Sequence, residues 1–550
     1  MSIPRLAGYR NPSAPLHRVG AGPDRANGRG ADWYGAGTGL AVGALGLTCV
    51  LIAWLLRWQG PDWPAQVYRA ELFRSHGWLL WDSGWYGGQY LLNYSVLFPA
   101  LAATIGLYGA AAASAAVAAW AFERLLRTTY GAVSFLPAVL FALATVIPVL
   151  FGQLPFLAGE AAGLLVLVLA RARRRELAFL LAPCCPLLSP VAGALLILIL
   201  SAWAMTSPPG RRIGLAALAG ITALPLIVVG HTFPVSGTSP FWGGDFALLL
   251  ALCGLGLLIV PRAQRTLRAG LVLYGIAAIV LFVVPNPLGG NYVRLASAVA
   301  PSLIIAASWV SKRRAIVLLA LPLMLWQWSP AFGLMHPMSQ DPSASSTYFR
   351  PLLAALARQT GADRVEIPLT LDHWETAFVA PHLPLARGWE RQTDVANNPI
   401  FYGGRPLTAA SYRRWLDATG VTFVALPDVA LDYSSTSEAH LLATPPSYLQ
   451  PVWHNEHWRV WRVLGSPGLV SGPATLVSLR PDGFTLDATS SGRIVVRVHY
   501  TPLWSIARGQ ACAAPTADGW TALTVTAKGR IEVKTALADH AMRCPSTRGK

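Results

Sequence analysis

The segment Arg57–Tyr94 concentrates residues able to do chemistry. It reads Gly60-Pro61-Asp62-Trp63-Pro64-Ala65-Gln66 and, after His76-Gly77, Trp81-Asp82-Ser83-Gly84-Trp85-Tyr86-Gly87-Gly88. A carboxylate within hydrogen-bond reach of a hydroxyl can take its proton as that oxygen attacks, while a departing phosphate needs cationic or N–H partners to hold its charge. Asp62 is the candidate base. It also suits the N-cap of a short helix that Gly77 would end. Asp82 is a second candidate carboxylate, for substrate or metal, set against the commoner use of Asp in a turn. Arg69 is a candidate for substrate binding in the same segment. Farther along, Arg294 follows the Gly-rich turn Asn286-Pro287-Leu288-Gly289-Gly290-Asn291-Tyr292. Its guanidinium suits a bidentate grip on a lipid phosphate, with Asn291 and Tyr292 beside it; the competing reading is an arginine snorkelling to any headgroup. Glu160 stands inside an apolar run after Gln153-Leu154-Pro155. Facing lipid it would cost roughly 2–3 kcal/mol, so it is expected to face a bundle interior, touching either substrate or a neighbouring helix.

The elements that must position these residues follow from composition. With 54% hydrophobic and only 13% charged residues in 550, the apolar surface exceeds what one soluble core can hide, and a bilayer is required. The net charge of +17 sits largely in arginine clusters between apolar runs. That is the positive-inside pattern, not a nucleic-acid footprint. Runs long enough to cross the hydrocarbon appear near 37–57, 101–122, 132–150, 154–170, 213–230, 243–260, 269–285, 295–311 and 315–334. The run 177–204, broken by Pro183, Pro186 and Pro190 and flanked by arginines on both sides, reads as a tight hairpin of two shorter spans. The expected total is about eleven spans. Arg124 and Arg127, the cluster 171–175, Arg211 and Arg212, Arg262, Arg265 and Arg268, and Lys312 to Arg314 then fall on the cytoplasmic side, and the loops near 151–154 and 231–242 hold no Lys or Arg. Arg57, Arg69, Arg74 and Arg294 fall outside, which invites a functional reading. Residues 1–34, rich in Arg, Pro and Gly without an apolar signal region, read as a disordered cytoplasmic tail. The excess of Arg over Lys and the abundant Ala fit a GC-rich bacterial coding bias, hence a bacterial cell membrane.

From about 335 the chain becomes soluble in character. Residues 335–450 read as an extracytoplasmic α/β domain: a helix over 348–359, a strand over 364–368, a helix over 412–419 ended by Gly420, and a strand over 421–426. Residues 451–550 alternate in a β-rich pattern suggesting an antiparallel sandwich. Cys512 and Cys544 stand alone there, and an oxidising compartment would let them pair. Cys49, Cys184, Cys185 and Cys253 read as small hydrophobes. His373, Glu375, His382, His454, Glu456 and His457 lack a compact zinc spacing such as His-Glu-x-x-His. No Walker loop, dinucleotide fingerprint or nucleophile elbow is present, which argues against ATP coupling and soluble-nucleotide chemistry.

The layout resembles the GT-C superfamily of membrane glycosyltransferases, which use polyprenyl-phosphate-linked sugars. Asp62 matches the acidic residue near the start of that family's first outer loop. Residues 63–76 match its interfacial helix, and Leu97-Phe98-Pro99 the entry to the second span. The commoner Asp-Asp or Asp-Glu pair and the Trp-Trp-Asp motif of oligosaccharyltransferases are absent. The resemblance implies an α-helical polytopic bundle of about 11 transmembrane helices over 35–334, with an extracytoplasmic loop 58–94, followed by an extracytoplasmic α/β plus β-sandwich-like domain. It implies an inverting transferase with Asp62 as general base, a polyprenyl-phosphate-linked sugar as donor, and a cell-envelope glycan or glycolipid as acceptor. Membrane lipids are the other partners, and nucleic acid is not one. No cofactor is called for, and a divalent metal is left open. Two other classes stay in view: a lipid or glycan transporter or flippase using Glu160 and the proline-broken hairpin, and a non-catalytic envelope scaffold.

Overall fold

A computed structural model describes residues 28–308, 313–335, 341–359, 361, 363–404 and 406–537. Helix α1 (Gly28–Leu55) begins inside the tail expected over 1–34, and residues 1–27 lie outside the described residues. After α2 (Trp63–His76) and the hairpin β1 (Trp81–Asp82) and β2 (Gln89–Tyr90), the bundle continues with α3 (Phe98–Ile105), α4 (Leu107–Tyr130), α5 (Phe135–Ala144), α6 (Val146–Phe151) and α7 (Leu154–Arg171). Then come α8 (Arg175–Leu181), α9 (Cys184–Leu188), α10 (Pro190–Thr206), α11 (Pro209–Thr232), α12 (Gly243–Ile259), α13 (Arg265–Val283), α14 (Arg294–Ser308) and α15 (Arg313–Phe332).

Among the described residues, four helices are long and apolar enough to cross a membrane alone: Gly37–Leu55, Leu154–Arg171, Pro209–Thr232 and Arg265–Val283. The pair α3 and α4 makes a fifth if it counts as one span, although it is bent by 111° at Gly106. The expectation of about eleven spans counted apolar runs. Of the remaining runs, three form the shorter apolar helices Phe135–Phe151, Pro190–Thr206 and Gly243–Ile259, with breaks near Thr145 and Ser189 where the sequence carries helix-disfavouring residues. Large apolar side chains stand bare on the outside of these helices, among them Leu180, Ile213, Leu258 and Val283 at 71–76% exposure. In water such a belt would be a severe liability; against lipid tails it costs nothing. Helix α1 approaches α4 along Gly39, Gly43 and Gly46, where a Cβ on Gly46 would come within 2.9 Å of the Ala115 carbonyl oxygen. Small residues set helices close where no hydrophobic effect drives them together.

The outer region begins with α16 (Ser346–Ala357) and a four-stranded mixed sheet in the order β3 (Val365–Glu366), β4 (Phe423–Pro427), β6 (Trp458–Val463), β5 (Leu449–His454). Around it lie α17 (Glu375–Phe378), α18 (Arg391–Asn397), α19 (Ala409–Thr419) and α20 (Thr436–Ala443). Gly420 ends α19 in the left-handed conformation, at φ 70° and ψ 31°, a geometry glycine adopts without steric cost. A domain boundary at 450/451 is corrected by the sheet: β5 and β6 pair with each other and complete the α/β layer, so the change of domain falls after Val463. Alternation alone could not tell which sheet a strand would join. Beyond it, β7 (Val470–Ser471) and β8 (Ala474–Arg480) through β9 (Gly483–Ala488), β10 (Gly492–His499), β11 (Trp504–Arg508), β12 (Ala511–Pro515), β13 (Trp520–Val525) and β14 (Gly529–Thr535) form two antiparallel sheets, ordered β12-β13-β10-β7 and β11-β14-β9-β8. Cys512 is disulfide-bonded, and its expected partner Cys544 lies outside the described residues.

Bundle and α/β domain share one core: Val50, Trp63 and Phe98 belong to the same buried cluster as Phe349, Trp374 and Trp458. The segment 77–94 ties the sandwich to it. Trp81 packs into the sandwich core with its ring 5.7 Å from Trp504, the Ser83 N–H donates to the Pro481 carbonyl at 2.9 Å, and the His499 N–H donates to the Gly87 carbonyl at 2.7 Å.

Candidate functional site

Where the bundle meets the α/β domain lies a cavity of about 690 Å³, walled by Asp62, Tyr94, Gln153, Ser189, Asp245 and Arg294 from the membrane side and by His373, Trp389, Glu390, Arg391 and Asp432 from the outer domain. A second space of about 380 Å³ shares Gln153, Phe156, Asp245, Asn291 and Arg294 with it and reaches Glu160 deeper in the bundle.

Asp62 lines this cavity with its backbone pinned and its side chain not spent on capping its helix. The Asp62 N–H donates to the Phe151 carbonyl at 2.8 Å, and the Trp389 indole N–H of the outer domain donates to the Pro61 carbonyl at 2.8 Å. The expected N-cap is not formed: Asp62 sits at φ −90° and ψ −9° with no side-chain cap hydrogen bond. Pro64 at the second helical position removes one of the N–H groups a cap would satisfy. Asp62 as a whole is half-buried and lines the cavity. Burial pushes its pKa up to about 6, against the opposing pull of Arg294, then His373 and Arg69, and a Gln153 hydrogen bond.

Arg294 heads α14 and reaches both spaces, with its guanidinium 5.4 Å from the Phe156 ring centroid. The turn before it explains the approach. The Asn286 side-chain oxygen accepts from Leu288 and Gly289 N–H at 2.9 and 2.8 Å, and Gly289 adopts φ 46° so near Ser239 that a Cβ would lie 2.3 Å from its carbonyl oxygen. Asn291 lines both spaces. Tyr292 does not: its hydroxyl donates to the Tyr274 carbonyl at 3.1 Å while the Tyr274 hydroxyl donates to the Tyr292 carbonyl at 2.6 Å, a reciprocal pair that consumes the side chain.

Two more candidates do not line this cavity. Asp82 is fully buried, accepts from the Tyr68 hydroxyl at 2.8 Å and from the Gly84 N–H at 3.0 Å through one oxygen, and is absent from the cavity wall. Its contact with the Gly84 N–H, two residues on, holds a turn. Arg69 is 4% exposed, ion-paired with Glu390 of the outer domain, and has Tyr94 3.9 Å from its guanidinium carbon with Trp85 and Trp389 farther out. On helix α2, Gln66 and Arg69 are buried beneath the outer domain. Periodicity could not foresee an outer domain descending onto that face.

The sequence reading passed over Asp245, Glu390, Arg391 and Asp432. Asp245 had a signal, being the one acidic residue at the outer end of the 243–260 run. Arg391 grips Asp432 through two hydrogen bonds of 2.9 and 2.6 Å, and the His373 Nε2 stands 3.6 Å from the same carboxylate. His373, weighed only as a metal ligand, thus belongs to a charged cluster on the cavity wall. Among the described residues no group of three or more His, Cys, Asp or Glu is placed to hold a metal ion.

No family model matches the sequence, and no curated protein matches it. Solved structures do. The chain is similar to the arabinofuranosyltransferase AftD from mycobacteria at 16% identity and a TM-score of 0.46, covering 82% of this chain and 41% of AftD. It therefore spans well under half the length of that protein. It is also similar to ArnT from Cupriavidus metallidurans, in the apo state at 15% identity and a TM-score of 0.37, covering 77% of this chain and 98% of that one. For ArnT bound to undecaprenyl phosphate the values are 14%, 0.38, 80% and 99%.

Proposed function

We propose that the protein is a membrane glycosyltransferase of the GT-C type, transferring a sugar from a polyprenyl-phosphate donor to a cell-envelope acceptor at the extracytoplasmic face, with Asp62 as general base. The observation that supports this reading best is the pairing, in one 690 Å³ cavity, of an uncapped Asp62 carboxylate with the Arg294 guanidinium at the outer end of a bundle helix. Arg294 can neutralise the phosphate released from the donor, and Asp62 can accept the proton of the attacking hydroxyl as the new glycosidic bond forms. Attack from the side opposite the phosphate inverts the anomeric centre. Asn291, shared by both spaces, and Glu160, deeper in the smaller one, can hydrogen-bond the donor's sugar hydroxyls. The outer-domain wall, with Trp389 and the Arg391–Asp432 pair, faces the acceptor side.

The orientation that goes with this places the N-terminus in the cytoplasm and residues 335–550 outside, in a bacterial cell membrane. The test is transfer by the purified protein in nanodiscs, offered polyprenyl-phosphate-linked sugars and envelope glycan acceptors. Wild type should transfer, and Asp62→Asn, equal in fold and membrane level, should lose about two orders of magnitude or more. Full activity in Asp62→Asn would remove Asp62 as the base.

A further inference from the structure

Of the four arginines that break the positive-inside pattern, three are accounted for: Arg69 pairs with Glu390, Arg74 with Glu71, and Arg294 lines the central cavity. Arg57 is left, exposed and without an ion pair among the described residues. It closes α1 at a position glycine usually holds. The Trp58 N–H donates to the Ala53 carbonyl at 3.0 Å and the Arg57 N–H to the Trp54 carbonyl at 3.1 Å, the paired bonds of a Schellman end, with Arg57 in the left-handed region at φ 53°. An arginine kept there, where glycine would carry no steric cost, points to a side chain with a use. Arg57 lines a cavity of about 390 Å³ with Trp54, Gln59, Tyr108, Asp341 and Ser345, where α1 and α4 meet the first residues of the outer region. The Tyr108 hydroxyl accepts from the Gln59 side-chain amide at 2.9 Å and keeps its own proton to give. Asp341 spends one carboxylate oxygen on the Ser343 N–H and hydroxyl, at 2.9 and 2.7 Å, and its other oxygen has no hydrogen bond among the described residues. Along α1 below the cavity, Leu51, Ile52 and Leu55 are bare, Leu55 at 71% exposure, and Trp54 is 52% exposed at the end of the apolar stretch, as tryptophans are where hydrocarbon gives way to headgroups.

We propose that this cavity seats the headgroup of an aminophospholipid, a lipid carrying a phosphate and a primary ammonium. The phosphate takes the Arg57 guanidinium, which can offer two parallel N–H groups, and the Tyr108 O–H. The ammonium takes the open oxygen of Asp341, and the acyl chains run over Leu55, Ile52 and Leu51. A headgroup with negative charge alone satisfies Arg57 and is repelled by Asp341, while a quaternary ammonium has no N–H to give that carboxylate. The two charges on one wall therefore select for the primary amine. Because Arg57 belongs to the bundle and Asp341 to the outer region, such a lipid ties one to the other. The cavity shares no residue with the one that holds Asp62, so this site is independent of the transferase reading.

The experiment is native mass spectrometry of the full-length protein released from nanodiscs made of equal parts phosphatidylethanolamine, phosphatidylglycerol and phosphatidylcholine, counting the lipids retained. Wild type should retain phosphatidylethanolamine about tenfold over phosphatidylglycerol, the scale of one charge-assisted hydrogen bond. Asp341→Asn, whose amide oxygen can still hold the Ser343 turn, should keep phospholipid and lose that preference. Arg57→Gly, which suits the left-handed backbone, should lose retention of all three lipids while its thermal midpoint in the same nanodiscs shows that it is folded. Millimolar inorganic phosphate should displace none of the retained lipid; displacement would make this a seat for free phosphate and overturn the lipid assignment. Equal retention of phosphatidylethanolamine and phosphatidylglycerol by wild type, or a preference untouched by Asp341→Asn, would leave Arg57 as a snorkelling arginine and overturn the proposal. Retention unchanged in Arg57→Gly would overturn it as well.

Discussion

Asp62 and Asp82 stand in one connecting segment, and burial raises both carboxyls to about 6, yet the two ends of that segment put them to different uses. Asp62 opens on a cavity beside Arg294, with no hydrogen bond spent on its own helix. Asp82 is shut between Tyr68 and the Gly84 N–H and holds a turn that lets the following Trp85, Tyr86 and Gly87 wedge under the outer domains. A perturbed carboxyl therefore marks a candidate, and access to a cavity with an opposing charge decides between candidates.

The largest effect expected from this contrast falls on Asp62. Asp62→Asn and Asp62→Ala should both lower transfer about 100-fold or more, and neither should lose stability, because there is no cap to lose. A drop of about 1 kcal/mol confined to Asp62→Ala, read from thermal unfolding, would reinstate a capping role. The next effect falls on Arg294. Arg294→Lys keeps a charge but loses the planar bidentate fork, and transfer should fall about tenfold, with the loss expressed in donor affinity as donor is titrated. The smallest concerns stability at Asp82. Its carboxyl titrates higher in the folded protein than its ordinary value of 3.8, so the native state binds the proton more tightly and stability falls as pH rises from about 4 to about 6. Asp82→Asn should remove that dependence and, above pH 6, stabilise the fold by on the order of 3 kcal/mol at most, seen as a higher melting temperature. Unfolding curves at pH 4.5 and 7.5 decide it; a loss of stability at both would mean that the charged form is the one the turn needs.

Much of this arrangement is legible in residues. Asp62 and Arg294 stand out as charges on the outer side of apolar runs, and the alternation over 493–500 and 530–534 marks strands that the sandwich contains. Legibility fails where an element is covered by something distant in sequence. For Arg69 and Gln66, nothing local announces that Glu390 and Tyr94 will meet them. Tyr292 reads as a site residue by its neighbours and is taken up by Tyr274. Asp432 and Arg391, more than forty residues apart, become one unit only when the loops around Leu369 and Ala430 pair. The left-handed backbone of His373 is likewise visible only in three dimensions.

The central claim is that Asp62, and not Asp82, accepts the proton. The pH dependence of kcat/KM for transfer tests it most directly, because both carboxyls would titrate near the same pH and only one can shape the rate. Wild type should show an acid limb near pH 6, falling about tenfold per pH unit below it, and Asp82→Asn should keep both the limb and a rate within about threefold of wild type. An acid limb that survives in Asp62→Asn and vanishes in Asp82→Asn would contradict the account.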